Sequence, residues 1–313
     1  MRERGAQPGA KPSRIASASA LRRVVLLAVA LGACARPAPA PPPALGARPE
    51  LRETTIEKGW ITVRLQLAPG PAGRRPAVIG SVPDPEALVA AGAALVTYQV
   101  NWDLLAPLKP PEPVPPPANT VGVWLLASPT PRTVGKAYLQ LIANDATRTI
   151  PEVVDYLATV PEVDPARIGV AGVSTTGFTA LQAVAADPRL VAATVLVACG
   201  DYHTFLHLSD LAMNGAPLDL DPAYDRWLRT QEPVAHPARL VHAAVLMVNG
   251  ADDAAVPTAC ASETARILRR AYARAGVTER FRFVLLPGAG HDLGELAAHE
   301  VLAWWYRWLL EPR

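Results

Sequence analysis

Ile168-Gly-Val-Ala-Gly-Val-Ser-Thr-Thr-Gly-Phe-Thr-Ala-Leu181 is an apolar run that breaks at Ser174 and resumes as a helix of small residues. The pattern predicts a strand, a tight turn and a helix. A serine on so sharp a turn has its hydroxyl pushed out above the strand end, beside the unpaired amides of the helix's first turn. That is the position of a nucleophile. Taken alone, Ser174 reads sooner as an ordinary helix N-cap, so its meaning depends on the rest of the chain.

Outward from this stretch, apolar runs alternate with helical patterns. Ile61, Val63, Leu65 and Leu67 alternate with polar residues, the period of a half-buried strand. Short apolar strands are predicted at Pro76–Gly80, Ala93–Val100, Val191–Ala198, Ala244–Val248 and Phe281–Leu286. Asp84-Pro85-Glu86 supplies an N-cap, a first-turn proline and an acid for a helix that Gly92 closes. Further helices are expected over Thr133–Thr159, kinked near Pro151, over Phe178–Ala186, Pro257–Ala275 and Leu293–Leu310. Val163-Asp164-Pro165 reads as a turn, and the stretch from Cys199 to Ala243 as mostly irregular. Strands that alternate with helices need crossover connections, which predicts an α/β fold: a mostly parallel central sheet with helices on both faces.

Two polar groups stand just past the carboxyl ends of such strands: Gly250-Ala-Asp-Asp-Ala-Ala-Val-Pro257 and Pro287-Gly-Ala-Gly-His291-Asp292. The order Ser174, Asp253, His291 on this alternating pattern resembles the α/β-hydrolase fold from about Ile61 to the C-terminus. Val163-Asp-Pro-Ala-Arg-Ile-Gly-Val-Ala-Gly-Val-Ser looks most like the dienelactone hydrolase and prolyl-oligopeptidase branch. The resemblance implies His291 as the base that takes the Ser174 proton and Asp253 as the acid that orients it. Asp201, past the Val191–Ala198 strand, is the alternative acid because some relatives place it there. The oxyanion donors would be the Thr175 amide and one from the loop after Gly80, with Ser81 ahead of Val82.

The chain departs from that pattern in two places. Thr176 stands where the family has glycine, and Gly80-Ser81 where many relatives have His-Gly. Gly177 offers compensating room at the crossing of strand and helix. His203 and His207 are four apart but lack the metalloprotease pattern His-Glu-x-x-His, so they are assigned to a pocket or surface, with no metal and no cofactor expected. Trp304, Trp305 and Trp308 on the last helix read as packing residues.

Composition assigns the N-terminal part to an address. Arg22-Arg23 precedes the apolar run Val24–Leu31, too short to span a bilayer and suited to a signal peptide. Leu31-Gly-Ala-Cys34 resembles the lipobox of bacterial lipoproteins, which implies lipidation of Cys34. Residues 1–33 are therefore expected to be a signal peptide, 34–50 a Pro/Ala-rich tether and 51–313 the catalytic domain, anchored in the cell envelope through Cys34, with simple secretion or a soluble periplasmic form as the alternative. Without residues 1–33 the chain carries 24 basic and 27 acidic residues, so the pI near 8.5 belongs to the signal and nothing points to nucleic acid. Seven prolines make Ala106–Asn119 a stiff surface loop, read as a rigid connector with a contribution to the pocket rim as the alternative. In an oxidising compartment Cys199 and Cys260 are open to pairing, although their apolar surroundings also suit free thiols.

The expected activity is hydrolysis of a small-molecule ester or amide through an acyl-enzyme. Esters rank ahead of peptides because no propeller repeats of the kind that gate prolyl oligopeptidases are seen, and the segment between the Val191 and Ala244 strands, too short for a large lid, favours small or accessible acyl groups over long lipid chains. A serine peptidase and an inactive binding lipoprotein are the alternatives.

Overall fold

Each parallel strand of this protein leads into a loop at the same edge of one sheet, and that edge is where Ser174, Asp253 and His291 fall. The computed structural model describes residues 50–56, 59–69, 73–100 and 131–311, with backbone alone for 131–137 and 294. The expected signal peptide, Cys34, all of the expected tether but Glu50, and the proline-rich Ala106–Asn119 stretch lie outside the described residues.

Among the described residues the strands are β1 (Glu50–Thr55), β2 (Ile61–Leu67), β3 (Arg75–Gly80), β4 (Ala94–Val100), β5 (Val163–Val173), β6 (Leu190–Leu196), β7 (Ala244–Gly250) and β8 (Phe281–Leu286). They form a sheet in the order β1-β2-β4-β3-β5-β6-β7-β8. The β1–β2 and β2–β4 pairs are antiparallel and the others parallel. The α/β architecture expected from the alternation is thus the one observed. The helices are α1 (Pro85–Ala90), α2 (Pro131–Asn144), α3 (Ile150–Thr159), α4 (Thr175–Ala186), α5 (Tyr202–Leu208), α6 (Pro222–Gln231), α7 (Thr258–Arg274) and α8 (Ala298–Trp305).

Two apolar cores cover the sheet's faces. One packs α2, α3, α4 and α7 around Ile142, Leu157, Phe178 and Leu268; the other packs α1 and α8 around Leu88, Val89 and Trp305. Trp304 and Trp305 are buried there, and Trp305 lies so close over Gly169 that a side chain on that glycine would collide with it. These are the packing residues that their spacing suggested.

Several local expectations are corrected. The break expected near Pro151 takes the form of a π-helical turn at Asp145–Thr149, directly before α3, in whose first turn Pro151 has no N–H for the carbonyl four residues back. Within that turn Asp145 is half-buried; Tyr98 donates to it at 2.7 Å, and desolvation raises its carboxyl to about 6. Val163-Asp164-Pro165 is not a separate turn but the irregular start of β5, where β3 shifts register between Arg75 and Ala77. β1 has no counterpart in the sequence reading, since Glu50-Leu-Arg-Glu-Thr-Thr55 has no buried face and Leu51 stays exposed; pairing with β2 and ion pairs Arg64–Glu53 (2.9 Å) and Arg52–Glu162 (2.7 Å) hold it. The supposedly irregular segment before β7 contains α5 and α6. The signal for α6 was Asp221-Pro222, whose aspartate accepts from the Ala223 and Tyr224 amides at 2.8 and 3.1 Å, the same device as Asp84-Pro85.

Cys199 and Cys260 are joined in a disulfide with a Cα separation of 5.9 Å. The bond ties the segment after β6 to the first turn of α7, across 61 residues. Restricting an unfolded loop of that size is worth about 4 kcal/mol in the chain-entropy limit, with measured values of roughly 2–5 kcal/mol. Denaturant unfolding with and without reductant should therefore differ by about 2–4 kcal/mol, and the Cys199→Ala/Cys260→Ala variant should show the reduced value in both conditions.

Candidate functional site

β5 ends at Val173, and the next residue reverses the chain. Ser174 has φ 55° and ψ −120°, a conformation that costs a non-glycine residue about 1–3 kcal/mol and persists only where its surroundings fix it. They do so on both sides: its N–H donates to Leu196 O at 2.8 Å, and its carbonyl accepts from Phe178 N at 3.0 Å. Gly172 and Gly177 make the crossing of β5 and α4 close enough. A Cβ on Gly172 would lie 2.0 Å from the Thr176 carbonyl oxygen, and one on Gly177 2.8 Å from Leu196 O. The neighbouring strand is strained as well. Val197, past the end of β6, has φ 43°, and its N–H donates to Val248 O at 2.9 Å.

Asp253 and His291 come from two loops that are stitched together backbone to backbone. Ala251 N donates to Leu286 O and Asp252 N to Ala289 O, each at 2.9 Å. The contact is so tight at Gly250 that a Cβ there would sit 2.2 Å from Gly290 O. Asp253 is buried, with one carboxylate oxygen accepting from Val256 N at 2.8 Å and the other 2.9 Å from His291 Nδ1. His291 Nε2 is 2.9 Å from Ser174 Oγ. Carboxylate, imidazole and hydroxyl thus form one hydrogen-bonded line. Such a line holds the imidazole with Nδ1–H toward the acid and leaves Nε2 free to take a proton from the hydroxyl.

The hydrogen bond to Asp253 raises the pKa of His291, burial opposes it, and the charges of Asp253, Asp210 and Asp292 add to the rise. Asp210 belongs to the segment after α5 that rests on the acid loop: its N–H donates to Ala254 O at 3.2 Å, and Ser209 Oγ donates to Ala255 O at 2.7 Å.

The other sequence candidates fall elsewhere. Asp201 caps α5, accepting from Thr204 N at 3.0 Å and Thr204 Oγ1 at 2.7 Å, and is not hydrogen-bonded to His291. Ser81 was preferred as the second oxyanion donor, but its amide donates to Ala171 O at 3.3 Å, because β3 continues its ladder for one more bond. Val82 carries the next amide on the loop. Thr175 opens α4, so its N–H has no intrahelical acceptor. His203 is clasped between Glu232 and Asp225 at 2.6 Å each, and the Glu232 bond foremost raises its pKa against the effect of burial. His207 lies near Ala216 O at 2.9 Å. No cluster of metal-ligating side chains occurs among the described residues. Sequence reasoning missed Tyr138, a buried residue of α2 whose hydroxyl donates to Thr175 Oγ1 at 3.1 Å; nothing in its spacing pointed to the elbow.

A family model described as the prolyl oligopeptidase family matches residues 137–311. Among solved structures, the chain is similar to a puromycin-hydrolyzing peptidase of Mycobacterium tuberculosis, at 17% identity and TM-score 0.56 over 85% of this chain and 40% of that one. It is also similar to TT1662 of Thermus thermophilus, at 19% identity and TM-score 0.58, covering 85% of this chain and 100% of that one. A third similar structure is the acylaminoacyl peptidase of Pyrococcus horikoshii, at 14% identity and TM-score 0.58 over 85% of this chain and 43% of that one. These likenesses show the fold. The chain spans well under half the length of the two peptidases. A search of curated proteins found no significant match.

A base acting through the neutral imidazole of His291 gives a rate that falls as pH drops through its pKa. The acid limb of kcat/KM should therefore have its midpoint above the ordinary histidine value of 6.5. Removing a negative charge destabilises the imidazolium, so Asp210→Asn should shift that midpoint to lower pH. A pH–rate profile of the two proteins checks both, and a midpoint at or below 6.5, or one that Asp210→Asn leaves in place, contradicts the electrostatic account.

Proposed function

The chain belongs to the prolyl oligopeptidase family of serine hydrolases, and from that premise we propose that it cleaves acyl–amine bonds in short peptides or aminoacyl compounds, with Ser174 as nucleophile. The observation that carries the role of Ser174 is the line Ser174–His291–Asp253, two contacts of 2.9 Å ending on a buried carboxylate. The ranking of esters first gives way to amides because the family match is to a peptidase family.

In the proposed reaction His291 Nε2 takes the Ser174 proton as Oγ attacks the carbonyl carbon, and Asp253 stabilises the imidazolium that forms. The negative oxygen of the tetrahedral intermediate is received by the Thr175 and Val82 amides, each worth about 3 kcal/mol in preorganised form. His291 then returns the proton to the leaving amine as the carbon–nitrogen bond breaks. Water, activated by the same imidazole, hydrolyses the acyl-enzyme.

Export and anchoring through Cys34 form part of the same proposal. Their support is the lipobox-like Leu31–Cys34 sequence and the Cys199–Cys260 bond, which suits an oxidising compartment.

A fluorophosphonate probe should label the wild-type protein at Ser174 and leave Ser174→Ala unlabelled. Asp253→Asn should reduce turnover by about 10⁴-fold. Turnover of aminoacyl and acyl-aminoacyl p-nitroanilides is expected; a protein that hydrolyses p-nitrophenyl esters but no anilide is an esterase, and a folded protein without labelling is no serine hydrolase at this site. Fatty-acid incorporation in a bacterial host should disappear in Cys34→Ala.

A further inference from the structure

Thr176 and the loop after Gly80, the two places where this chain departs from the family pattern, meet at one point of the sheet. The β3–β5 ladder ends with Gly80 opposite Ala171, and its last bond runs from Ser81 N to Ala171 O. In a parallel ladder the N–H and C=O of one residue face the same neighbour and those of the next residue face the other. The next groups on the β3 side therefore belong to Val173, while the Ser174 N–H turns to Leu196 on the β6 side. A continued ladder would set Val82 against Val173 and require a donor at position 83. That residue is Pro83, which has no N–H.

The Thr176 side chain fills both vacancies. Its Oγ1 accepts from Val173 N at 2.9 Å and donates to Val173 O at 3.0 Å. The position tolerates a β-branched residue because the close crossing of strand and helix occurs at Gly172 and Gly177, while Thr176 is itself exposed. We propose that Thr176 is a positioning residue, a latch that replaces the missing β3 partner at the end of β5 and holds the strained backbone of Ser174 in register with His291. The latch lets β3 peel away at Ser81, which frees the Val82 amide to face the substrate. The proposal rests on the reading of Ser174 as nucleophile.

The test uses the full chain with Thr176→Val, which keeps the shape and loses the hydroxyl, Thr176→Ser, which keeps the hydroxyl, and Thr176→Gly, which restores the family residue and admits water. Rates of fluorophosphonate labelling at Ser174 and kcat on the best anilide should rank Thr and Ser together, then Gly, then Val. The Val loss is expected at roughly ten- to hundredfold, the kinetic equivalent of leaving two backbone groups poorly paired, with KM within about twofold. Amide hydrogen exchange at Val173 should speed up in the Val variant and stay slow in the Ser variant. This exchange readout does not depend on catalysis, so it separates failure of the latch from failure of the nucleophile. Unchanged exchange and labelling in Thr176→Val, or a Ser variant as impaired as Val, overturns the latch. If Thr176→Val does not fold, the Ser and Gly variants decide: equal labelling and equal exchange overturn it, and slower labelling with faster exchange in Gly supports it. An unlabelled wild type with slow Val173 exchange overturns the nucleophile and with it the catalytic purpose of the latch.

Discussion

The backbone of Ser174 is the constraint on which the rest of the structure depends. A left-handed serine between a strand and a helix is unfavourable by about 1–3 kcal/mol, and it stays folded because neighbouring groups leave it no alternative. Leu196 takes its N–H, Phe178 donates to its carbonyl, and the side-chain-free positions Gly172 and Gly177 let α4 cross β5 at short range. Most of α4 is buried, which secures the helix that in turn secures the turn.

Strain at Ser174 is matched on the adjacent strand. Val197 is β-branched and left-handed, and its segment is pinned at successive residues: Val197 N to Val248 O, Ala198 O to Asn249 Nδ2 at 3.2 Å, Cys199 to Cys260, and Gly200 N to Thr264 Oγ1 at 2.8 Å. This pinning carries the end of β6 onto α7, and Leu196, which holds Ser174, is part of it. The acid loop lies between β7 and α7, so the same connections bear on Asp253. Ser174 and Asp253 are thus held to one frame through backbone bonds and a covalent bridge, with little left to flexible side chains.

Electrostatics around His291 are biased toward the charged imidazole. The hydrogen bond to Asp253 is the largest cause, and the charges of Asp253, Asp210 and Asp292 add to it. Burial works in the opposite direction, against the carboxylates. The segment that brings Asp210 to the site is joined to the fold a second way, through His203 between the carboxylates of Glu232 and Asp225. Helix α5 is therefore fastened to the acid loop through the residues that follow it and to α6 through His203.

The sequence by itself determined the sheet class and the order of the three polar groups, because buried parallel strands read as apolar runs and each group follows directly on one. It also located Asp84-Pro85 and the packing role of the tryptophans, which are local or periodic signals. It could not reveal β1, which has no buried face, and it ranked Asp253 ahead of Asp201 only by resemblance, since both follow strands and only the packed loops bring one to His291. Ser81 and Thr176 were misjudged for a related reason. Their meaning depends on where the β3–β5 ladder stops, a long-range register set by tertiary pairing, which turns the Ser81 amide into a sheet bond and the threonine from a defect of the elbow into a partner for Val173. Spacing along a chain records which groups follow which strand; only the packed sheet decides which backbone groups are left to be satisfied.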